Sequence, residues 1–235
     1  MAVRVPSTDD VTLELHHFGG EGPPLLVVHA TGFCAAPYRH LLPALGGTFE
    51  VWALDVRSHG DATDAADGEV SWRGTSRDVL AAVDAIGRGP VAGFGHSMGG
   101  ASLLGAELQR PGTLTALYAY EPIVFPHEWT LAPGPNPLAA AARRRRPGFA
   151  SRSEALHRYA SRPPLGRFRA DVLHDYVDGG FRELPDGTVT LSCRPEQEAK
   201  TFDAPDKVTI EELGAVAVPV RVARGAREPG SPPAR

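Results

Sequence analysis

The chain has 235 residues, of which 42% are hydrophobic and 22% are charged, as in an ordinary globular α/β protein. The formal net charge of −4 gives no reason to expect a nucleic acid or an anionic membrane as a partner. We find no apolar run near the roughly 20 residues of a membrane span and no signal-peptide core, so we predict a cytoplasmic protein. Cys34 and Cys193 lack the spacing of metal ligands and are expected to be reduced thiols.

Strand and helix patterns alternate along the first half of the chain. Alternating polarity at 11–18 predicts a half-buried antiparallel strand, and the continuous apolar run at 25–29 predicts a strand buried on both faces. The further predicted elements are a short helix at 38–45, a helix at 71–86, and strands at 49–54, 90–92 and 114–120. This alternation predicts a mainly parallel sheet flanked by helices.

The pattern changes between 126 and 212, where prolines are frequent and strand-like apolar runs are scarce. We predict that this stretch is a helical cap, too poor in apolar residues for a core of its own, inserted between two parts of the core, 1–125 and 213–235. Its predicted elements are helical patches at 138–146, 153–159 and 169–177 and a turn with an extended arm at 184–191. The strand pattern resumes at 216–223.

Four consecutive arginines stand in the first helical patch of the predicted cap: Arg143, Arg144, Arg145 and Arg146. One interpretation is a solvated helix face, which is the usual place for such a run of like charge. The other is a site that holds the anionic group of a phosphate-bearing or acidic substrate.

A serine flanked by glycines stands between a short apolar strand and a helix rich in alanine and leucine. The segment reads Gly-Phe-Gly-His-Ser-Met-Gly-Gly from Gly93 to Gly100, and this strand–turn–helix order predicts a nucleophile elbow at Ser97. The glycines are needed because the tight turn strains the serine backbone and leaves no room for a neighbouring Cβ. The Met98 N–H, at the helix N-terminus, can then point at a developing oxyanion.

Two further motifs precede this elbow in a fixed order. They are His29-Ala30-Thr31-Gly32 at the end of a buried strand and a loop of the Asp-x-Arg-x-His-Gly type from Asp55 to Gly60. With these motifs the chain resembles the α/β-hydrolase fold family from about Leu13 to Glu228.

The resemblance implies that Ser97 is the nucleophile and that the reaction is acyl transfer to water through an acyl-serine. It implies that the oxyanion is bound by the N–H of Met98 and by an N–H of the loop after His29, which is Thr31 with Gly32 next. Ala30 replaces the glycine that is usual in that loop. No cofactor and no metal is implied.

The resemblance also implies an acid and a histidine, in the order serine, acid, histidine. Two acids fit. Glu228 follows the strand at 216–223, where the family most often places the acid, and Glu121 ends the strand at 114–120 as the alternative.

The catalytic histidine is absent from its usual place, a loop after one more strand, because His174 is the last histidine of the sequence. We therefore expect a fragment or truncated product without the final strand, the histidine loop and the last helix, and with low triad-dependent activity. The cap histidines His127, His157 and His174 are the candidates for a substitute base.

The three other histidines of these motifs have structural interpretations. His29 and His59 belong to fold motifs, and His96 is expected to point away from the site into the packing.

The sequence therefore predicts a serine hydrolase that acts on an ester, thioester or related carbonyl of a small molecule. The alternative is an impaired or dead hydrolase-fold protein that binds a ligand or partner. Specificity would be set by cap residues such as Phe125, Trp129, Phe149 and Tyr159. The strand at 216–223 would form a sheet edge, which predicts a possible homodimer through that edge.

Overall fold

The computed structural model of the chain describes residues 1–130 and 136–226, without the side chains of Trp129 and Thr130. Within these ranges, no helix combines the length and the apolar character needed to cross a bilayer.

A central sheet with mainly parallel strands organises the described residues. The strands in chain order are β1 (Ala2–Pro6), β2 (Thr12–Gly19), β3 (Pro24–Val28), β4 (Glu50–Asp55), β5 (Val91–His96), β6 (Leu114–Tyr120), β7 (Gly148–Phe149), β8 (Phe181–Glu183), β9 (Val189–Leu191) and β10 (Val220–Ala223). Seven of them form this sheet in the order β1-β2-β4-β3-β5-β6-β10. The first two pairs, β1–β2 and β2–β4, are antiparallel. The remaining neighbours in this sheet, which are β4–β3, β3–β5, β5–β6 and β6–β10, run parallel. The predicted α/β architecture is confirmed.

Helices follow the strands along the chain. They are α1 (Leu42–Leu45), α2 (Trp72–Ile86), α3 (Met98–Gln109), α4 (His127–Thr130), α5 (Pro137–Arg143), α6 (Arg152–Ala160), α7 (Ala170–Gly180) and α8 (Pro195–Asp203), with 3-10 helices at Ala36–Leu41, Leu165–Arg167 and Glu211–Ala215. The bounds of α2 follow from local chemistry: the Ser71 side chain accepts from the Gly74 N–H, and Gly87 takes a left-handed φ of 68°.

The continuous apolar run of β3 is explained by burial on both faces of the sheet. Leu26 and Val28 belong to the larger core cluster, together with residues of α2 and α3. Leu25 and Val27 belong to a second cluster on the opposite face, against which α1 packs. Both apolar faces of this strand are therefore covered, as the pattern predicts for a parallel sheet.

The stretch between β6 and β10 has more structure than its composition suggests. Strands β7, β9 and β8 form a small antiparallel sheet, and β8 and β9 are the predicted turn with its extended arm. The expectation that this stretch lacks a core is wrong, because its buried apolar cluster is Phe149, Ala155, Leu173, Tyr176, Val177, Phe181, Val189 and Leu191. Its three aromatic residues supply much buried area from a short sequence. The boundaries of the cap stay a prediction.

Strands at both ends of the sheet differ from the predicted pattern. β1 was not predicted, and β10 begins at Val220 rather than at 216 because a 3-10 helix and Pro219 precede it. β10 pairs with β6 alone among the described strands, and Val222 is 65% exposed. The homodimer through this edge stays a prediction.

A buried ion pair connects the polar loop after β4 to α2. Arg57 is only 2% exposed, and its guanidinium donates to both carboxylate oxygens of the fully buried Asp78 at 2.8 Å. Burial alone would lower the pKa of Arg57, but the carboxylates of Asp78 and Asp9 outweigh it and raise that pKa. A Cβ at Gly74 would lie 2.5 Å from Arg57 Nη1, so a side chain at this position would displace the guanidinium from its ion pair.

Replacing Asp78 by alanine is expected to lower the free energy of unfolding by about 3 to 5 kcal/mol, because the buried Arg57 loses its buried carboxylate partner and keeps only the contact with the more exposed Asp9. The measurement is urea denaturation at neutral pH. Asp84→Ala is the matched control, since Asp84 pairs with Arg110 at the surface and its loss costs less than about 1 kcal/mol. Equal losses in the two variants would contradict this account.

Candidate active site

Ser97 occupies a strained turn between β5 and α3. Its φ of 54° and ψ of −112° lie in a region that residues with a side chain rarely adopt. The Ser97 N–H donates to the Tyr120 carbonyl oxygen at 2.9 Å, and the Ser97 carbonyl accepts from Ile123 N–H at 3.2 Å. The strained serine is thus fixed to the carboxyl end of the neighbouring strand β6.

The glycines around Ser97 have the close contacts that the spacing predicts. A Cβ on Gly95 would lie 2.5 Å from the Gly100 Cα, and a Cβ on Gly99 would lie 2.0 Å from the Val28 carbonyl oxygen. The contact of Gly99 also brings the first turn of α3 against the end of β3. The loop after β3 therefore begins directly beside the serine.

This loop is held from the side of the elbow by a tyrosine. The Ala30 N–H donates to the Tyr38 hydroxyl oxygen at 3.1 Å. Because this oxygen accepts, the Tyr38 hydroxyl is free to donate its own proton to His96 Nδ1, 2.8 Å away. The His96 ring also packs edge-on against Phe33, with ring centroids 5.9 Å apart. Burial lowers the pKa of His96. His96 therefore joins the elbow to the loop as a neutral acceptor.

The other end of the loop is held by His59 and by Tyr176 of α7. The Gly32 N–H donates to His59 Nε2 at 3.0 Å, and the Tyr176 hydroxyl donates to the Gly32 carbonyl oxygen at 3.0 Å. The φ of Gly32 is 74°. The Gly32 N–H is therefore directed to His59 rather than toward a substrate.

Thr31 lies between these two anchored residues. Its N–H has no hydrogen-bond partner within residues 1–130 and 136–226. The side chain is 8% exposed, and its buried Oγ1 also lacks a partner. The Met98 N–H, in the first turn of α3, has no acceptor within its own helix. Of the three predicted oxyanion donors, Thr31 and Met98 keep an available N–H.

One of the two predicted acids lies beside this turn. Glu121 directly follows Tyr120 and has a φ of 47°, a second strained residue at the carboxyl end of the sheet. Its Oε1 accepts from the Gly225 N–H at 2.9 Å. Glu228 lies outside the described residues.

His29 and His59 are committed to backbone partners. The Nδ1–H of His29 donates to the Ala30 carbonyl at 2.8 Å, and its Nε2 accepts from the Val56 N–H at 3.3 Å. His59 Nδ1–H donates to the Arg57 carbonyl at 2.9 Å while its Nε2 accepts from Gly32. Burial lowers the pKa of His29 to about 3 and also lowers that of His59. Both are neutral structural groups.

The three cap histidines are exposed residues. His157 and His174 are exposed on α6 and α7, and His174 Nδ1 lies 3.2 Å from Asp178 Oδ2. His127 is the first residue of α4. Within the described ranges, the Ser97 hydroxyl makes no hydrogen bond to a histidine. A substitute base among these residues stays a prediction.

A cavity of about 530 Å³ lies beside the loop, between it and the helical stretch after β6. Thr31, Gly32 and Phe33 form one wall, whereas Ser97 is not among the lining residues. Of the predicted specificity residues, Phe149 and Tyr159 line the cavity and Phe125 does not. The Trp129 side chain lies outside the described residues.

The arginine run does not act as one unit. Arg143 is exposed and pairs with Glu196 and Asp203, which fits the solvated interpretation. Arg145 is instead largely buried and pairs with Glu198.

Arg145 connects the end of α5 to the loop through a tyrosine. Its Nη2 donates to the Tyr176 hydroxyl at 2.9 Å and to the Tyr159 hydroxyl at 3.2 Å. Burial alone would lower the pKa of Arg145, but the facing tyrosines and Glu198 raise it. No local pattern marks Tyr38 or Tyr176, because their partners are distant in sequence. Neither tyrosine could therefore be assigned to the site from the sequence.

Among the side chains that the structure describes, no group of three or more His, Cys, Asp or Glu could hold a metal ion.

The lowered pKa of His29 predicts a loss of stability in acid. The unfolded state takes up the proton near pH 6.5 and the folded state only near pH 3, so stability is complete above about 6.5 and falls below it. Urea denaturation between pH 7 and pH 5, where most carboxylates stay ionised, measures this slope. His29→Asn should flatten the slope, whereas His157→Asn, at an exposed histidine, should keep it. Identical slopes in the wild type and His29→Asn would contradict the assignment.

Comparisons with known proteins identify the family and the fold of the chain. A model of the Alpha/beta hydrolase family matches residues 25–234. The (E)-2-((N-methylformamido)methylene)succinate hydrolase of Acinetobacter baylyi is 31% identical over 102 residues, which cover 41% of this chain and 36% of that protein. Protein phosphatase methylesterase 1 of Rattus norvegicus is 34% identical over 95 residues, which cover 38% of this chain and 25% of that protein. The chain thus spans about a third or less of the length of these relatives.

Two solved structures share the fold. E-2-(acetamidomethylene)succinate hydrolase superposes with a TM-score of 0.74 at 20% identity, covering 96% of this chain and 91% of that one. N-formylmaleamic acid deformylase of Pseudomonas putida superposes with a TM-score of 0.71 at 18% identity, covering 95% and 81%. At these identities the likeness concerns the fold alone. Since the family model matches most of the sequence, the chain belongs to the alpha/beta hydrolase family.

Proposed function

We propose that this chain hydrolyses an ester, thioester or related carbonyl of a small molecule through an acyl-serine at Ser97. The observation that carries the proposal is the strained Ser97 at the strand–helix turn, with the available N–H groups of Met98 and Thr31 on the adjoining elements. The names of the relatives, hydrolases and a methylesterase, support acyl transfer to water as the reaction class.

In the proposed reaction, Ser97 Oγ attacks the carbonyl carbon and the carbonyl oxygen becomes an oxyanion. The N–H groups of Met98 and Thr31 would stabilise this charge, and one such donor is worth about 10² to 10³ in turnover. The leaving group departs with a proton, and water then attacks the acyl-serine and releases the acid. The anchoring of the loop by Tyr38, His59 and Tyr176 supports the proposal, because it fixes the Thr31 donor before substrate binds.

The proton of the Ser97 hydroxyl requires a base, and an acid must orient that base. Glu121 is the acid for which the placement gives support, because it directly follows Tyr120, whose carbonyl accepts the Ser97 N–H. Glu228, the acid that the sequence analysis places first, lies outside the described residues and stays a proposal.

A second candidate function is ligand binding without efficient turnover. It is favoured by one observation: in the described part of the chain, the Ser97 hydroxyl has no histidine as hydrogen-bond partner. Added imidazole distinguishes the two functions, because it can act as the base only if the nucleophile and the oxyanion donors are in place.

The first test uses p-nitrophenyl acetate and peptide mass mapping. We expect an acetyl group on the peptide that contains Ser97, and at least a hundredfold loss of labelling in Ser97→Ala, an order of magnitude typical of a removed nucleophile. Ser153→Ala, at an exposed serine of α6, is the matched control and should label like the wild type. Labelling that survives in Ser97→Ala at the wild-type rate would refute the proposed nucleophile.

The second test measures p-nitrophenol release with increasing imidazole, with Ser97→Ala as the blank for the reaction of imidazole itself. A Ser97-dependent acceleration indicates a site that lacks only its base. Efficient turnover that imidazole does not change indicates a base within the chain and excludes the second candidate function.

A further inference from the structure

We propose that the substrate of Ser97 carries an anionic group, a carboxylate or a phosphate, and that Arg144, Arg158 and Arg162 bind this group in the cavity beside the oxyanion loop. The inference rests on the proposed function and adds the substrate class. It starts from the walls of the cavity of about 530 Å³, a volume suited to a small molecule.

The charge of the cavity walls is strongly positive, although the whole chain has a net charge of −4. Five arginines line the cavity, and Glu198 is the one acidic residue among the described lining residues: the arginines are Arg144, Arg145, Arg146, Arg158 and Arg162. Like charges gathered in one concave site raise the local positive potential and attract anions.

Two of these arginines already have carboxylate partners. Arg145 pairs with Glu198. Arg146 Nη1 donates to Glu154 at 2.9 Å, and its guanidinium lies 4.3 Å from the centre of the Phe149 ring. Their charges are therefore largely compensated within the protein.

The other three, Arg144, Arg158 and Arg162, have no ion-pair partner within residues 1–130 and 136–226. Most of the described arginines, by contrast, form an ion pair with Asp or Glu. A planar guanidinium binds carboxylate or phosphate with two parallel hydrogen bonds. Three such groups around one cavity are therefore suited to an oxyanion of the ligand.

An independent observation on the same wall indicates a ligand. Thr31 lines the cavity, is 8% exposed, and has a buried hydroxyl without a partner among the described residues. A buried hydroxyl without a hydrogen bond costs free energy, so a partner from outside the chain is the expected explanation.

The arginine wall and the oxyanion loop are physically connected. Arg145 donates to the Tyr176 hydroxyl, which in turn donates to the Gly32 carbonyl. Because Thr31 and Gly32 belong both to this loop and to the cavity wall, a ligand anchored by the arginines extends toward the proposed oxyanion donor. The anion would thus orient the scissile carbonyl rather than occupy a separate site.

Calorimetric titration of the whole chain with glutarate, inorganic phosphate and the uncharged glutaramide tests the anion site. We expect binding of glutarate or phosphate, which identifies the preferred anion, and no binding of glutaramide. Arg144→Gln, Arg158→Gln and Arg162→Gln should each weaken binding about tenfold or more, as expected for a charge-assisted hydrogen bond. All three side chains belong to exposed residues, so the variants should keep the wild-type melting temperature.

Arg221→Gln is the matched control, because it removes an exposed arginine of β10 that has no ion pair in the described ranges. It should bind the anion like the wild type. Wild-type affinity in all three cavity variants overturns the proposed site. A loss of affinity in Arg221→Gln as large as that in the cavity variants also overturns it. Binding of glutaramide as tight as that of glutarate also overturns it.

Protection of Ser97 connects the anion site to the reaction. Glutarate, or phosphate if that is the preferred anion, should slow acetylation of Ser97 by p-nitrophenyl acetate, and this protection should be lost in Arg158→Gln. Acetylation of Ser97 without protection overturns the anion site alone. Absence of acetylation with every ester, while anion binding still depends on the arginines, instead overturns the proposed function.

Discussion

The positive φ of Ser97 is the constraint around which the rest of the site is arranged. A side chain in this conformation is held only where neighbouring elements fix the backbone on both sides. Here the N–H of Ser97 is bound to the end of β6, and the glycines at 95, 99 and 100 let α3 approach β5 and β3 without a collision. The same close packing brings the loop after β3 to the N-terminus of α3.

That loop would be of little use to a reaction if it were free to move. Tyr38 and His59 bind the N–H groups of Ala30 and Gly32, and Tyr176 binds the Gly32 carbonyl. These contacts leave the Thr31 N–H between two fixed neighbours. Preorganised donors of this kind are effective because no reorganisation is needed when charge develops on the substrate.

Features of the fold and of the site that depend on residues close together in the chain can be predicted from the sequence. Alternating and continuous apolar runs predict β2 and β3, and the glycines around Ser97 predict the elbow, because period and steric need lie within a few residues. The partner of Gly32 on α7 lies 144 residues away in the chain, so no local pattern could reveal it. The core of the stretch after β6 was missed for a related reason: its aromatic side chains come together only after folding. The run of four arginines likewise separates into solvated and buried members through acids more than 50 residues distant, such as Glu196 and Glu198.

The central claim is that the strained Ser97 and the fixed loop together form a reactive centre. Reaction with a fluorophosphonate probe, followed by mass mapping and compared between the wild type, Tyr176→Phe and Tyr118→Phe, tests it most directly. The account predicts a phosphonyl adduct on Ser97 that forms more slowly in Tyr176→Phe, which loses the bond to the Gly32 carbonyl, and at the wild-type rate in Tyr118→Phe, a tyrosine outside the site. An adduct on another residue, or equal rates in all three proteins, would contradict it.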